Sequence, residues 1–179
     1  MAKSLVLSVS LGTGCYRHIQ IGDGATLMAL SSAILDAFDF DDDHLHSFFM
    51  NNRAWDQDAE FACPWADLDG SMKHSDEVKL SRFRLGKGAK FLYIFDYGDD
   101  WRFSIKVLRV IDEPTEIPLL LRSVGQISQY GDYDEEDYDE DEVDEDDDED
   151  DDEDDEDDED DEDDYGDGEG DEGGDDGTF

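Results

Sequence analysis

The sequence predicts an α+β fold, a mixed or antiparallel sheet with one main helix packed across it, followed by an acidic tail. Three observations carry this expectation. Four segments alternate apolar and polar residues with period two, one stretch repeats apolar residues at spacings of three and four, and the charge divides the chain in two. Of the 179 residues, positions 1–130 hold all 13 Lys and Arg and 19 acids, while positions 131–179 hold 36 acids and no base. About 130 residues is an ordinary size for one domain with its own core. The remaining segment has too few apolar groups to offset its ordering entropy. The expected organisation is a folded domain over 1–130 and a disordered Asp/Glu-rich tail over 131–179.

Leu5, Leu7, Val9 and Leu11 share one face of the first strand, with Ser4, Val6, Ser8 and Ser10 on the other. Gly12-Thr13-Gly14 supplies a turn, and Tyr16 to Ile21 sets Arg17, Ile19 and Ile21 against Tyr16, His18 and Gln20, so the two segments should pair as a hairpin. Thr26 stands where a helix N-cap belongs, and Leu27, Leu30, Ile34 and Phe38 follow at helical spacing with alanines between them, giving a helix of about three turns. After Asp41-Asp42-Asp43, residues His44 to Met50 read as a third strand. Residues 51–78 show no sustained period and read as a long connection packed partly through Trp55, Phe61 and Trp65. Lys90 to Asp96 and Trp101 to Ile111 alternate again across Tyr97-Gly98-Asp99-Asp100, a long hairpin with Phe91, Tyr93 and Phe95 on one face. Pro114 and Pro118 then break the pattern, and Leu119-Leu120-Leu121 is expected to pack back on the domain.

Composition also excludes function classes. No run approaches the ~18–20 apolar residues that span a bilayer, so no membrane association is expected. A net charge of −42 disfavours direct binding of nucleic acid or acidic lipid. Cys15 and Cys63 form no C-x-x-C and no repeated spacing, which points to free thiols in a reducing, cytoplasmic setting. Serines at 4, 8 and 10 interrupt the N-terminal apolar run, and Gly12 occupies the position where a lipoprotein signal needs an aliphatic residue, so no signal peptide is read there.

The candidate chemistry lies in two places. On a strand, His44-Leu45-His46 would put both imidazoles on one face, roughly 6.5–7 Å apart along the chain. Such a pair can grip a divalent metal, with Asp41, Asp42, Asp43 or His74 as further donors, although ordinary hydrogen-bonded histidines explain most such pairs. Asp96, Asp99 and Asp100 surround the hairpin turn, where paired carboxylates can share acid and base roles but where Asp and Gly are also favoured for backbone reasons. There is no G-x-S-x-G, Walker loop or G-x-G-x-x-G. Lys79, Arg82, Arg84, Lys87 and Lys90 form a basic cluster suited to an anion or to the chain's own tail. The tail lacks the spacing of a calcium-binding loop, and its charge either solubilises the chain or lures basic partners.

The Thr26-Leu27 helix start, His44-Leu45-His46-Ser47-Phe48 and the hairpin Phe91-Leu92-Tyr93-Ile94-Phe95-Asp96-Tyr97-Gly98-Asp99-Asp100-Trp101 together resemble the plasmid pRiA ORF-three-like family. That family also includes insertion-element passenger proteins labelled TnpR-like, and the resemblance covers roughly residues 3–125. It implies a compact α+β domain of ubiquitin-like flavour and an association with plasmids and mobile elements, without an established activity. Members commonly carry a His two residues after the Trp, where this chain has Phe103, which argues against a three-histidine site. The Cys- and Pro-rich segment that often follows is replaced by Arg122 to Tyr130 and the acidic run.

The reading that follows is a non-enzymatic binding module without a catalytic residue or cofactor. Its candidate binding residues are His44, His46, Asp96, Tyr97, Asp99, Asp100 and Trp101, and its tail attracts a basic protein partner or aids solubility. The alternative is a metal-dependent hydrolase or nucleic-acid-processing accessory that uses His44 and His46. Oligomeric state is not legible in the sequence.

Overall fold

The computed structural model describes residues 2–131, and the acidic segment beyond them lies outside the described residues. Within them β1 (Ser4–Ser10), β2 (Tyr16–Gly22), β3 (His46–Phe49), β4 (Glu60–Ala62), β5 (Lys90–Phe95), β6 (Trp101–Ile111) and β7 (Leu119–Val124) form a seven-stranded antiparallel sheet ordered β4-β3-β5-β6-β1-β2-β7. β1 (Ser4–Ser10) and β2 (Tyr16–Gly22) form the expected hairpin, with Leu7 opposite Ile19. β5 (Lys90–Phe95) and β6 (Trp101–Ile111) form the second, with Tyr93 opposite Phe103. β1 also pairs with β6, so the two hairpins share one sheet, and a register shift between Val6 and Leu7 marks the joint.

α1 (Leu27–Phe38) crosses one face of this sheet. Thr26 caps it by accepting a hydrogen bond from the Ala29 amide at 3.1 Å. Leu27, Leu30, Ile34, Leu35 and Phe38 are all buried and pack with Leu5, Leu7, Val9, Ile19, Ile21, Phe91, Tyr93 and Phe103. Each such side chain contributes about 1.5–3 kcal/mol through its burial. The helix ends at Asp39, which takes the left-handed conformation at φ 60° and donates its amide back to the last turn. The α+β class and the single main helix are therefore as the sequence predicts.

Two local expectations need correction. The third strand is β3 (His46–Phe49), two residues shorter at its start than expected, because Asp41 and Asp43 bond Gln129 and Tyr130 and His44 bonds Asp43 instead. The connection after it contains a short strand, β4 (Glu60–Ala62), paired with β3. Trp55 in this connection lies over Phe49 and Tyr97, at 5.7 and 5.3 Å between ring centroids, and helps cover a small cluster of Phe49, Leu92 and Ile94 on the reverse face. Leu119 to Leu121 do return to the domain, through backbone pairing along its edge. They belong to β7 (Leu119–Val124), an edge strand on β2, and remain 46–53% exposed. Pairing the free edge of β2 satisfies backbone donors and acceptors there, and it outweighs burial of the three leucines.

Candidate functional site

The hairpin turn between β5 and β6 is built by its aspartates. Asp96 and Asp100 both adopt positive φ, at 55° and 54°, a conformation Asp tolerates better than most residues. Asp96 Oδ1 accepts the Gly98 and Asp99 amides at 2.9 and 3.3 Å, and the Asp100 amide donates to the Asp96 carbonyl at 2.7 Å. Asp100 Oδ2 is held by Arg102, whose Nη2 lies 2.7 Å away. Most of this carboxylate chemistry is spent on closing the turn, which is the backbone explanation of the motif.

What the turn leaves over is Asp96 Oδ2, which faces His44 Nε2 at 3.5 Å. The other ring nitrogen of His44 lies 2.6 Å from Asp43 Oδ1, and Tyr130 donates its hydroxyl to Asp43 Oδ2 at 2.5 Å. Gln129 fastens the same loop, accepting from the Asp41 amide at 2.6 Å and donating to Asp43 Oδ1 at 3.2 Å. The Asp43 hydrogen bond, with the nearby Asp96 and Asp99 charges, raises the His44 imidazole above its ordinary range. Asp43 is lowered in turn, chiefly by the Tyr130 hydroxyl, and Tyr130 is pushed up to about 12 by Asp43. Asp42 is raised by partial burial and by the like charges of Asp43 and Asp36. The result is an acidic rim of Asp41, Asp43, Asp96 and Asp99 around His44 and Tyr130. It lies where the described chain reaches Gly131 and runs on into 36 further acids.

His46 has a different environment. It is 1% exposed, with Nδ1 3.3 Å from the Ser31 hydroxyl and Nε2 3.0 Å from that of Ser75. Ser31 also bonds Tyr93 at 2.6 Å, so helix, loop and two strands meet on one buried polar network. Burial pushes the imidazole down to about 4. His44 precedes the strand, and both ring nitrogens of His46 have hydroxyl partners. Among the described residues no group of three or more His, Cys, Asp or Glu is arranged to hold a metal ion.

Tyr97 turns away from the rim. Its hydroxyl bonds Ser47 at 2.6 Å and the His46 carbonyl at 3.1 Å, and burial pushes it up to about 12. Trp101 lies edge-on to Phe40 at 5.2 Å, with its indole Nε1 buried and unpartnered among the described residues, as is Asp100 Oδ1. Phe91, Tyr93, Phe95 and Phe103 are fully buried, so the hairpin aromatics are core rather than a contact surface. The structure thus brings together His44, Asp96 and Asp99 and separates them from His46 and Tyr97. Sequence reasoning missed the Ser31–His46–Ser75 network and the Gln129–Tyr130 anchor, both formed by residues far apart in the chain. It also gave no role to Arg17, although its phase with Ile19 and Ile21 marks it as buried.

The profile of the family described as plasmid pRiA4b ORF-3-like protein matches residues 5–155. A crystal structure of a protein of unknown function from Methanosarcina mazei Go1 is similar, with a TM-score of 0.54 and 23% sequence identity over 69% of this chain and 70% of that one. At that identity the likeness is one of fold. No curated protein matches the chain. Among the described residues no helix is long and apolar enough to cross a membrane.

Proposed function

The chain belongs to the plasmid pRiA4b ORF-3-like protein family, and within it we propose a non-enzymatic binding module that recruits a basic protein partner through the acidic rim around His44. The observation that carries this reading is the convergence of four aspartates from two separate loops, Asp41, Asp43, Asp96 and Asp99, on the point where residues 129–131 lead into the acidic segment. A rim and a polyanion that share one origin act as a single negative field, which raises the local concentration of cationic partners and speeds their encounter. The acidic segment serves as the long-range lure, while the rim, fixed by the turn and by Gln129, supplies the positioned contacts. The family's association with plasmids and mobile elements is consistent with a partner that itself handles nucleic acid.

The test is affinity capture of nuclease-treated lysate on the full chain, compared with an Asp41→Asn, Asp99→Asn variant. Neither of these side chains accepts a hydrogen bond among the described residues, so their neutralisation leaves the turn intact. Captured proteins should be basic and should fall away between about 0.1 and 1 M salt, as the screening length contracts from about 10 to 3 Å. The variant should release them at lower salt. A partner retained equally by both forms at high salt contradicts the proposal.

A further inference from the structure

At the C-terminal end of α1, β2 buries a cation. Arg17 is 5% exposed. Its Nε donates to the Ala37 carbonyl at 2.7 Å, and Nη1 donates to the carbonyls of Tyr16 and Val124 at 3.1 and 2.8 Å. The guanidinium carbon lies 4.5 Å from the centroid of the Phe38 ring. All of these partners are neutral. Among the described residues no carboxylate forms an ion pair with Arg17. Nη2 has no hydrogen-bond partner there, yet it is not among the fully enclosed unpartnered atoms, so it opens onto the adjoining space. That space is a cavity of about 400 Å³ bordered by Arg17, Asp39, Ser123, Gly125, Gln126 and Ser128.

We propose that this cavity is a binding site for a carboxylate. Burying a guanidinium without a counter-charge is unfavourable, and helix-end carbonyls offset only part of that cost. The remaining Nη2 donors are positioned for a charge-assisted hydrogen bond to an anionic oxygen. The second carboxylate oxygen has donors across the cavity. The Ser123 hydroxyl and the backbone amides of Gln126 and Ser128 make no hydrogen bond among the described residues. These amides follow Gly125, held at φ 75° where a Cβ would come within 2.4 Å of the Gly14 carbonyl oxygen, so the backbone approaches the β1–β2 turn in a way only glycine permits. Asp39 also lines the wall, and its negative charge repels a doubly charged phosphate about twice as strongly as a singly charged carboxylate, which favours the carboxylate as the class.

Two sources can supply that group, the chain's own Asp and Glu beyond residue 131 or an acid from another molecule. The experiment follows the Arg17 guanidinium resonances by NMR in the full chain, titrated with acetate at constant ionic strength, with phosphate as comparison. The same titration is run on a full-length variant with Asp132, Asp134, Glu135, Glu136 and Asp137 converted to amides. Saturable shifts with acetate in the wild type support the site and an external acid. A silent wild type with a displaced, acetate-responsive resonance in the amide variant supports the site and assigns its occupant to the chain's own acids. Ser123→Ala, at an exposed position, should weaken acetate binding about tenfold, the loss expected for a hydrogen bond to a charged group. No response in either form, or phosphate binding as tightly as acetate, overturns the proposal and leaves Arg17 as a cap of the helix end.

Discussion

Lowering the pH should unfold this domain through His46, and the structure gives the size of the effect. The imidazole is buried between Ser31 and Ser75, and its folded value of about 4 lies well below the ordinary 6.5. Because the folded value is depressed, the unfolded chain binds more protons between these limits, so stability is fully present above pH 6.5 and is lost as the pH falls. The loss is about 2 kcal/mol by pH 5 and about 3 kcal/mol by pH 4, levelling off below that. Many carboxylates titrate in the same range, so the assay is a difference. Urea unfolding of the full chain and of His46→Gln is followed by tryptophan fluorescence from pH 7 to pH 5 at constant ionic strength. Contributions common to both proteins cancel. The variant should be weaker at pH 7 by about 2–4 kcal/mol, since it disturbs a buried network. The gap between the two should then shrink by about 2 kcal/mol at pH 5. A gap that stays constant over this range would refute the claim that His46 is held neutral.

Three further outcomes follow from particular contacts. His44 should titrate above 6.5 in an NMR pH series, and Asp43→Asn should lower it, because the Asp43 hydrogen bond is the largest cause of its shift; an unchanged value would count against that arrangement. Gly125→Ala should destabilise by about 1–3 kcal/mol or more in denaturant titration, since a side chain there meets both a positive φ and the backbone of Gly14 and Cys15. Asp39→Gly should stabilise by less than about 1 kcal/mol by the same assay, because glycine takes the left-handed helix end without strain.

The strands and helix were legible because period and spacing report burial directly. Leu5, Leu7 and Val9 lie on the covered face, and the Thr26 cap starts the helix where its side-chain chemistry requires. The edge strand Leu119 to Val124 was not, because three consecutive leucines carry no alternation and a strand that is exposed on both faces leaves no period to read. The two histidines show the same limit at the site. Their spacing suggests one shared face, but the partners that decide their states, Asp43 and Tyr130 for His44, Ser31 and Ser75 for His46, come from positions that only the fold brings near. The turn aspartates offered both a backbone and a site reading; Asp96 closes the turn with one oxygen and keeps the other for His44, which local sequence does not reveal. Arg17 was visible as an in-phase charge on an apolar face, and what it lacks is a counter-ion, a property of the surroundings rather than of the strand.

The central claim is that the rim around His44 and the acidic segment together engage cations. The most direct measurement is an NMR titration of the isotopically labelled full chain with a lysine-rich peptide, read residue by residue. The account predicts that among residues 2–131 the earliest shifts fall on Asp41 to His44, Asp96 to Asp100 and Gln129 to Gly131, and that added salt reverses them. Shifts confined to the acidic segment, with the rim unmoved, would contradict it.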